Sequence, residues 1–504
     1  MLMGTMARPN SMSPSQSSRR GDVLFSIAII LVPAVGGAIA AYDTQLIILL
    51  GSLAIGTVMF IFKPAWFVPA TLILSCTALP ASLPSAFNVS GFNIPVYEIT
   101  LAIAFVIALR VGIDRYTRRN LGILSAWLVI GTVIGLLAGA SAIRIIGDIR
   151  NPLQMVTAFV VAAAFVNTPI SRECAEVMKW VLWLSSVLIL LASTTGLKLA
   201  GRSEAAALGG AISDVTRYLT AATFPALATL CVCVSLALLG NRPLSTTWMW
   251  TVPSVLILVM AFSRNHLLAL GVVILATLLS IRNARPFMRA SAGVLMTMAG
   301  LILVVFVTTS SQMSDIPGMA WLGSQIDGYT ARVVEGVSSE ALRKDPSALY
   351  RERENDSIKA SIEQSPILGH GFGYAYQGPA SNMGTWGQEK APYYAHNFYL
   401  WAMVKTGVIG LLFVLAAIAF PILRAISRPL RSFEIALAAT AAGMLAVSFV
   451  APMPLGSPTA VILGALVGAV CGLRSASAAD DARAADQSSH LLRADGKRVA
   501  GIEG

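Results

Sequence analysis

Four histidines occur in 504 residues, and one stands where chemistry would be placed. His396 closes the longest polar passage, in the phrase Tyr393-Tyr394-Ala395-His396-Asn397-Phe398-Tyr399-Leu400, at the threshold of an apolar run. An imidazole takes a proton near neutral pH, and a position at a helix start gives it fixed geometry, as a general base requires. The plainer reading is an interfacial polar residue beside an aromatic belt containing Tyr399 and Trp401. His370, between two glycines, reads as a loop residue, His266 as capping or lining a helix, and His490 as part of the tail.

Arginines form the second unusual set. Arg144, Arg150, Arg202, Arg217, Arg264, Arg351 and Arg353 all fall in connections that charge topology assigns to the outer face, where it does not favour them. A guanidinium fork there suits phosphate oxygens. Snorkelling to headgroups, or pairing with Asp148, Glu204 or Asp214, is the alternative for any single one.

Those residues must be carried by a membrane bundle. Hydrophobic residues make up 56% and charged residues 12%, against roughly 25% charged in soluble domains. Apolar runs recur near 23–42, 45–62, 65–80, 97–111, 121–140, 152–166, 178–196, 218–240, 248–262, 264–281, 289–310, 397–423, 434–450 and 455–473. Lipid offers backbone groups no partner, so each run must be a helix. The expected fold is an all-α polytopic membrane protein with about 12–14 spans. Residues 1–22 read as a cytoplasmic tail, 23–310 as the first eleven spans, 311–396 as one large outer loop, 397–473 as the last three spans, and 474–504 as a disordered cytoplasmic tail. The first run reads as a retained span, not a cleaved signal, because a second follows at once. Short basic connections fall on one side, with Lys63, then Arg110 to Arg119, Arg172, Lys179, Arg242, Arg282 to Arg289 and Arg424 to Arg431. That asymmetry puts both termini inside and accounts for the net charge of +11 without nucleic acid.

Within the loop, Pro346 to Gln364 reads as an amphipathic helix, with Leu349, Ile358 and Ile362 at near-helical spacing and Pro366 as its stop. Gly369-His370-Gly371-Phe372-Gly373 reads as a turn and lacks the strand-and-helix context of a phosphate loop. The five cysteines show neither a disulfide framework nor a metal spacing, and Cys231 and Cys233 read as packing residues.

Arg351, then Ser365-Pro366-Ile367-Leu368-Gly369-His370-Gly371, then His396-Asn397-Phe398-Tyr399-Leu400 and Thr406-Gly407-Val408-Ile409-Gly410 together resemble the O-antigen ligase and O-antigen polymerase family of bacterial envelope glycosyltransferases. Upstream, Arg217-Tyr218-Leu219 leading to Phe224-Pro225, and the pair Ser263-Arg264, are similar to that family's other arginine motifs, so the likeness covers about 200–415. The resemblance implies a GT-C-like bundle in the bacterial inner membrane whose large loop is periplasmic. It implies a donor glycan on undecaprenyl pyrophosphate, a glycan or lipid acceptor, inverting transfer without metal or other cofactor, and further polysaccharide-assembly proteins as partners beside the membrane lipids. Carried over residue by residue, Arg217, Arg264 and Arg351 would bind the pyrophosphate, His396 would be the base, and Asn397 and Tyr399 would support it. Two positions depart from the pattern. Asn355 stands where a Trp is frequent, which leaves Arg353 as an alternative to Arg351. Lys405 stands where a Glu is frequent, which puts a cation near the active face unless it snorkels or finds a carboxylate. Polymerase and ligase share the donor and differ in the acceptor, so both stand. A non-enzymatic translocase of polysaccharide or lipid-linked sugar is the rival, and it would want charge deep within several spans.

Overall fold

Long apolar runs become helices, and the helices fix where the polar loops emerge. The computed structural model describes residues 56–83, 85–89, 92–208, 211–241, 246–293, 295–296, 346–376, 393–429 and 431–474, with isolated positions from 323 to 329. The expected tails, the first span, most of the second and eleventh, and much of the large loop lie outside them. The chain divides into two units, Met1–Trp66 and Phe67–Gly504. In the first, residues 56–62 are helical, and the Lys63 ammonium lies 5.4 Å from the Trp66 ring.

Among the described residues, the second unit is a helical bundle with two small hairpins. Its first elements are α1 (Phe67–Cys76), the hairpin β1 (Ala86–Val89) and β2 (Phe92–Pro95), and α2 (Val96–Val111). Next come α3 (Arg115–Leu137), α4 (Ala142–Phe165) and α5 (Ile170–Thr195). A second hairpin follows, β3 (Arg202–Leu208) and β4 (Ala211–Leu219), before α6 (Thr223–Leu238), α7 (Trp248–Ala261) and α8 (Asn265–Ser280). Then come α9 (Pro346–Gln364), α10 (Phe398–Ser427), α11 (Ser432–Val447) and α12 (Ser457–Arg474). Helices α3, α5, α10 and α12 are long and apolar enough to cross a membrane, and α6, α7, α8 and α11 are shorter apolar helices. The chain is a mostly helical, polytopic membrane protein.

Packing follows the residues each helix presents. α11 is buried almost all round, from Glu434 to Val447, and sits among α6, α8 and α10, as a helix apolar on every side must. α12 approaches α4 through Gly464, Gly468 and Gly472, whose missing side chains would collide with the carbonyls of Met155, Phe159 and Ala163 at 2.1, 2.1 and 2.5 Å. Small residues every fourth position let backbones meet where lipid supplies no hydrophobic drive. α3 packs along α10, and α4 on α2 and α3.

One helix is interrupted. Gly407, inside α10, has φ 64° and ψ −173°, which leaves neighbouring backbone groups without helical partners. The segment after α9 supplies them. The N–H groups of His370 and Gly371 donate to the carbonyls of Val404 and Lys405 at 3.0 and 2.7 Å, and the Val408 N–H donates to Pro366 O at 2.9 Å. A Cβ on Gly407 would lie 2.1 Å from Ile367 O, so the break admits only glycine. The turn expected at 369–373 is therefore a plug in a broken helix. Its Phe372 N–H donates to Gly131 O on α3 at 2.9 Å, and the ring lies edge-on to Trp127 at 5.9 Å.

Candidate active site

Four separate segments bring the chemistry-bearing residues to one cavity of about 640 Å³, whose lining includes Arg217, Arg264, Arg351 and His396. Arg217 sits on β4, where the strand alternation turns it, with Leu219, toward the cavity. Its Nε donates to Ala261 O, the last carbonyl of α7, at 2.9 Å, which ties the hairpin to the turn carrying the second arginine. That turn is tight: Phe262, buried, has φ 41°, a left-handed conformation that costs a bulky residue free energy and clusters at functional sites. It delivers Ser263 and Arg264 to the cavity at the start of α8, where the positive end of the helix dipole adds to the guanidinium. Arg351 comes from the second turn of α9. Arg202 lines the cavity too, from the β3 position opposite Leu219. Glu204 is opposite Arg217 in the same ladder. No carboxylate occurs among the described lining residues.

His396 is held from both sides. Its backbone N–H donates to Glu354 Oε2 at 2.8 Å, and its Nδ1 lies 3.1 Å from the same oxygen. Glu354 is buried and His396 partly open, with side-chain exposures of 1% and 18%. A carboxylate only accepts, so Nδ1 carries the proton and Nε2 keeps the lone pair a base needs. Tyr350 and Tyr394 meet the imidazole edge-on at 6.0 and 5.3 Å. Burial, then the Glu354 charge, pushes the Tyr350 phenol up. The next residue, Asn397, caps α10: its Oδ1 accepts from the N–H groups of Tyr399 and Leu400 at 3.0 and 3.2 Å, which fixes the helix start.

Other expected residues fall elsewhere. Arg353 is exposed and outside the cavity lining, so it does not stand in for Arg351 there. Tyr399 donates to Leu445 O at 2.7 Å and packs on Phe449, away from the cavity. Lys405 is not at the cavity face. It is fully buried, with Nζ 2.6 Å from Asp148 Oδ2 and 2.6 Å from Tyr374 O. Asp148 also accepts the Gly373 N–H at 2.6 Å. Arg150 pairs with Glu98 at 2.8 Å, not with Asp148, and Arg144 lies over the Tyr393 ring at 5.5 Å. His370 is part of the plug, stacked on Tyr374 at 4.0 Å. His266 is buried in the first turn of α8 against Phe224. Among the described residues no cluster of His, Cys, Asp or Glu could hold a metal ion.

Sequence reasoning passed over Glu354, one of many acids in the large loop. A signal was present: it follows Arg351 by three positions, so on a helix both face one side.

No curated protein matches the chain in sequence. Arg264, Arg351, Glu354 and His396 all fall within residues 249–415, which match the family model of the O-antigen ligases, while Arg217 and Arg202 precede it. From α7 into α10 the chain is thus similar to the O-antigen ligases, and it resembles the O-antigen ligase and polymerase family, membrane proteins of glycosyltransferase type that act in polysaccharide and lipopolysaccharide assembly.

Proposed function

We propose that the chain transfers a glycan from undecaprenyl pyrophosphate to an acceptor hydroxyl on the outer face of the bacterial inner membrane, as a polymerase or ligase, with inversion and without a metal. The observation that carries this reading is the convergence of Arg217, Arg264, Arg351 and His396, from four separate segments, on one cavity. The acceptor oxygen attacks the anomeric carbon while its proton passes to Nε2 of His396. The bond from that carbon to the phosphate oxygen breaks, and the pyrophosphate leaves as an anion. The arginines stabilise the charge as it develops, which is where differential binding lowers a barrier. Glu354 holds the imidazole in the tautomer that can accept and offsets the charge of the imidazolium.

Proteoliposomes with extracted lipid-linked oligosaccharide and a crude acceptor fraction provide the test. His396→Ala is expected to lower transfer by about a thousandfold or more while leaving pyrophosphate binding intact, and Arg217→Ala to weaken that binding about tenfold or more. Normal transfer by His396→Ala would remove the base assignment. A wild type that makes no product but carries the lipid-linked sugar across the bilayer would make the chain a translocase.

A further inference from the structure

Tyr394 has no role so far beyond its ring. It is half-buried, lines the cavity beside Arg351 and His396, and presents its edge contact to the imidazole at 5.3 Å. Its hydroxyl makes no hydrogen bond among the described residues. A phenol withdrawn from water ordinarily takes a polar partner, whereas the Tyr394 hydroxyl is not among the sealed, unpartnered polar atoms, and its residue borders the cavity. Tyr399, five residues on, illustrates the rule with its bond to Leu445 O. Burial above all, and then the charge of Glu354, pushes the Tyr394 phenol up, with Arg351 pulling the other way. The hydroxyl is therefore a neutral donor throughout the physiological range, on a residue that lines the cavity together with a guanidinium and the base.

We infer that Tyr394 is a further catalytic residue, whose hydroxyl donates a hydrogen bond to the phosphate oxygen that leaves the anomeric carbon. This rests on the glycan-transfer reading. No proton changes hands at Tyr394: the acceptor's proton goes to His396, the carbon–oxygen bond to phosphate breaks, and the phenol holds the oxygen as its negative charge grows. Arginine alone offers charge along the phosphates, whereas a single aimed donor beside the base discriminates the transition state from the bound donor. Ser263 and Asn265 flank Arg264 at the same cavity and supply neutral polar groups to the remaining oxygens.

Tyr394→Phe keeps the ring and its edge contact and removes only the donor. Two measurements on the purified full chain decide the matter: kcat and KM for glycan transfer, and affinity for farnesyl pyrophosphate, whose terminal oxygens resemble the released product. The variant is expected to lose about 100-fold in kcat with KM within a factor of three, and about tenfold in farnesyl pyrophosphate affinity. Wild-type turnover and affinity in the variant would overturn the inference. So would a lowered melting temperature that accounts for the loss, which would make the hydroxyl structural. If the wild type forms no product yet Tyr394→Phe still binds farnesyl pyrophosphate tenfold more weakly, the contact to phosphate stands and the transferase reading falls.

Discussion

Two acid–base pairs flank the start of α10, and they have opposite characters. His396 and Glu354 meet where the imidazole keeps 18% of its side chain exposed at the cavity. Lys405 and Asp148 are sealed, at 0% and 5%, with the Gly373 N–H donating to the same Asp148 oxygen and Tyr374 O accepting a second ammonium proton. A buried pair must satisfy itself or cost several kcal/mol, so its charges are committed to geometry. A pair with one face open can meet a ligand at that face. The departure from the family pattern at Lys405 thus reads as architecture, while the pair proposed for chemistry lies at the helix start.

Each pair can be broken separately. Glu354→Gln should lower kcat by roughly 10²–10⁴ with little change in folding, because an amide can donate to Nδ1 and so select the wrong tautomer, the effect of Asp-to-Asn changes in related triads. Initial-rate measurements beside circular dichroism would show it, and an unaltered rate would reduce Glu354 to a packing residue. Lys405→Met should instead destabilise the protein by about 3–5 kcal/mol by stranding Asp148, and adding Asp148→Asn should recover part of that loss. Detergent-solubilised thermal unfolding would report both, and equal melting temperatures for the wild type and single variant would refute the anchoring role. Arg353→Ala should change neither transfer nor stability by more than about 0.5 kcal/mol, since it touches neither pair and is exposed. A loss of donor binding in Arg353→Ala would return the loop arginine's role to Arg353.

The contrast also explains what the sequence could reveal. α9 spans Pro346–Gln364 in the structure, the bounds its flanking prolines suggest, because local stop signals act locally. Of the spacing expected to be apolar, Ile358 and Ile362 are buried while Leu349 is exposed, since Glu354 occupies the inner face nearest the site. The order of arginine motifs and histidine was legible as a resemblance. Asp148 and Lys405 were not legible as partners, because 257 residues separate them and neither stands in a pattern. Arg144 and Arg150 looked like nearer partners for Asp148. Nor did Gly407 announce a break, since one glycine in an apolar run is tolerated by a continuous helix. The hairpin bearing Arg217 stayed hidden because β3 is Ala-rich, with none of the β-branched and aromatic content that marks a strand, and β4, though it has Ile212, Val215, Thr216 and Tyr218, runs into the apolar stretch read as the next span.

The plug in α10 bears on how the site is assembled during synthesis. Residues 366–372 leave the ribosome shortly before the glycine they embrace, so the joint can close between neighbours in the chain, a contact of short loop closure. Asp148 must be waiting, already threaded, for Lys405 to arrive. The His396 end of α10 is therefore finished in two stages, a quick local clasp and a late long-range lock. A chain severed between α9 and α10 would have to rebuild the first of these from two polypeptides before the second could form.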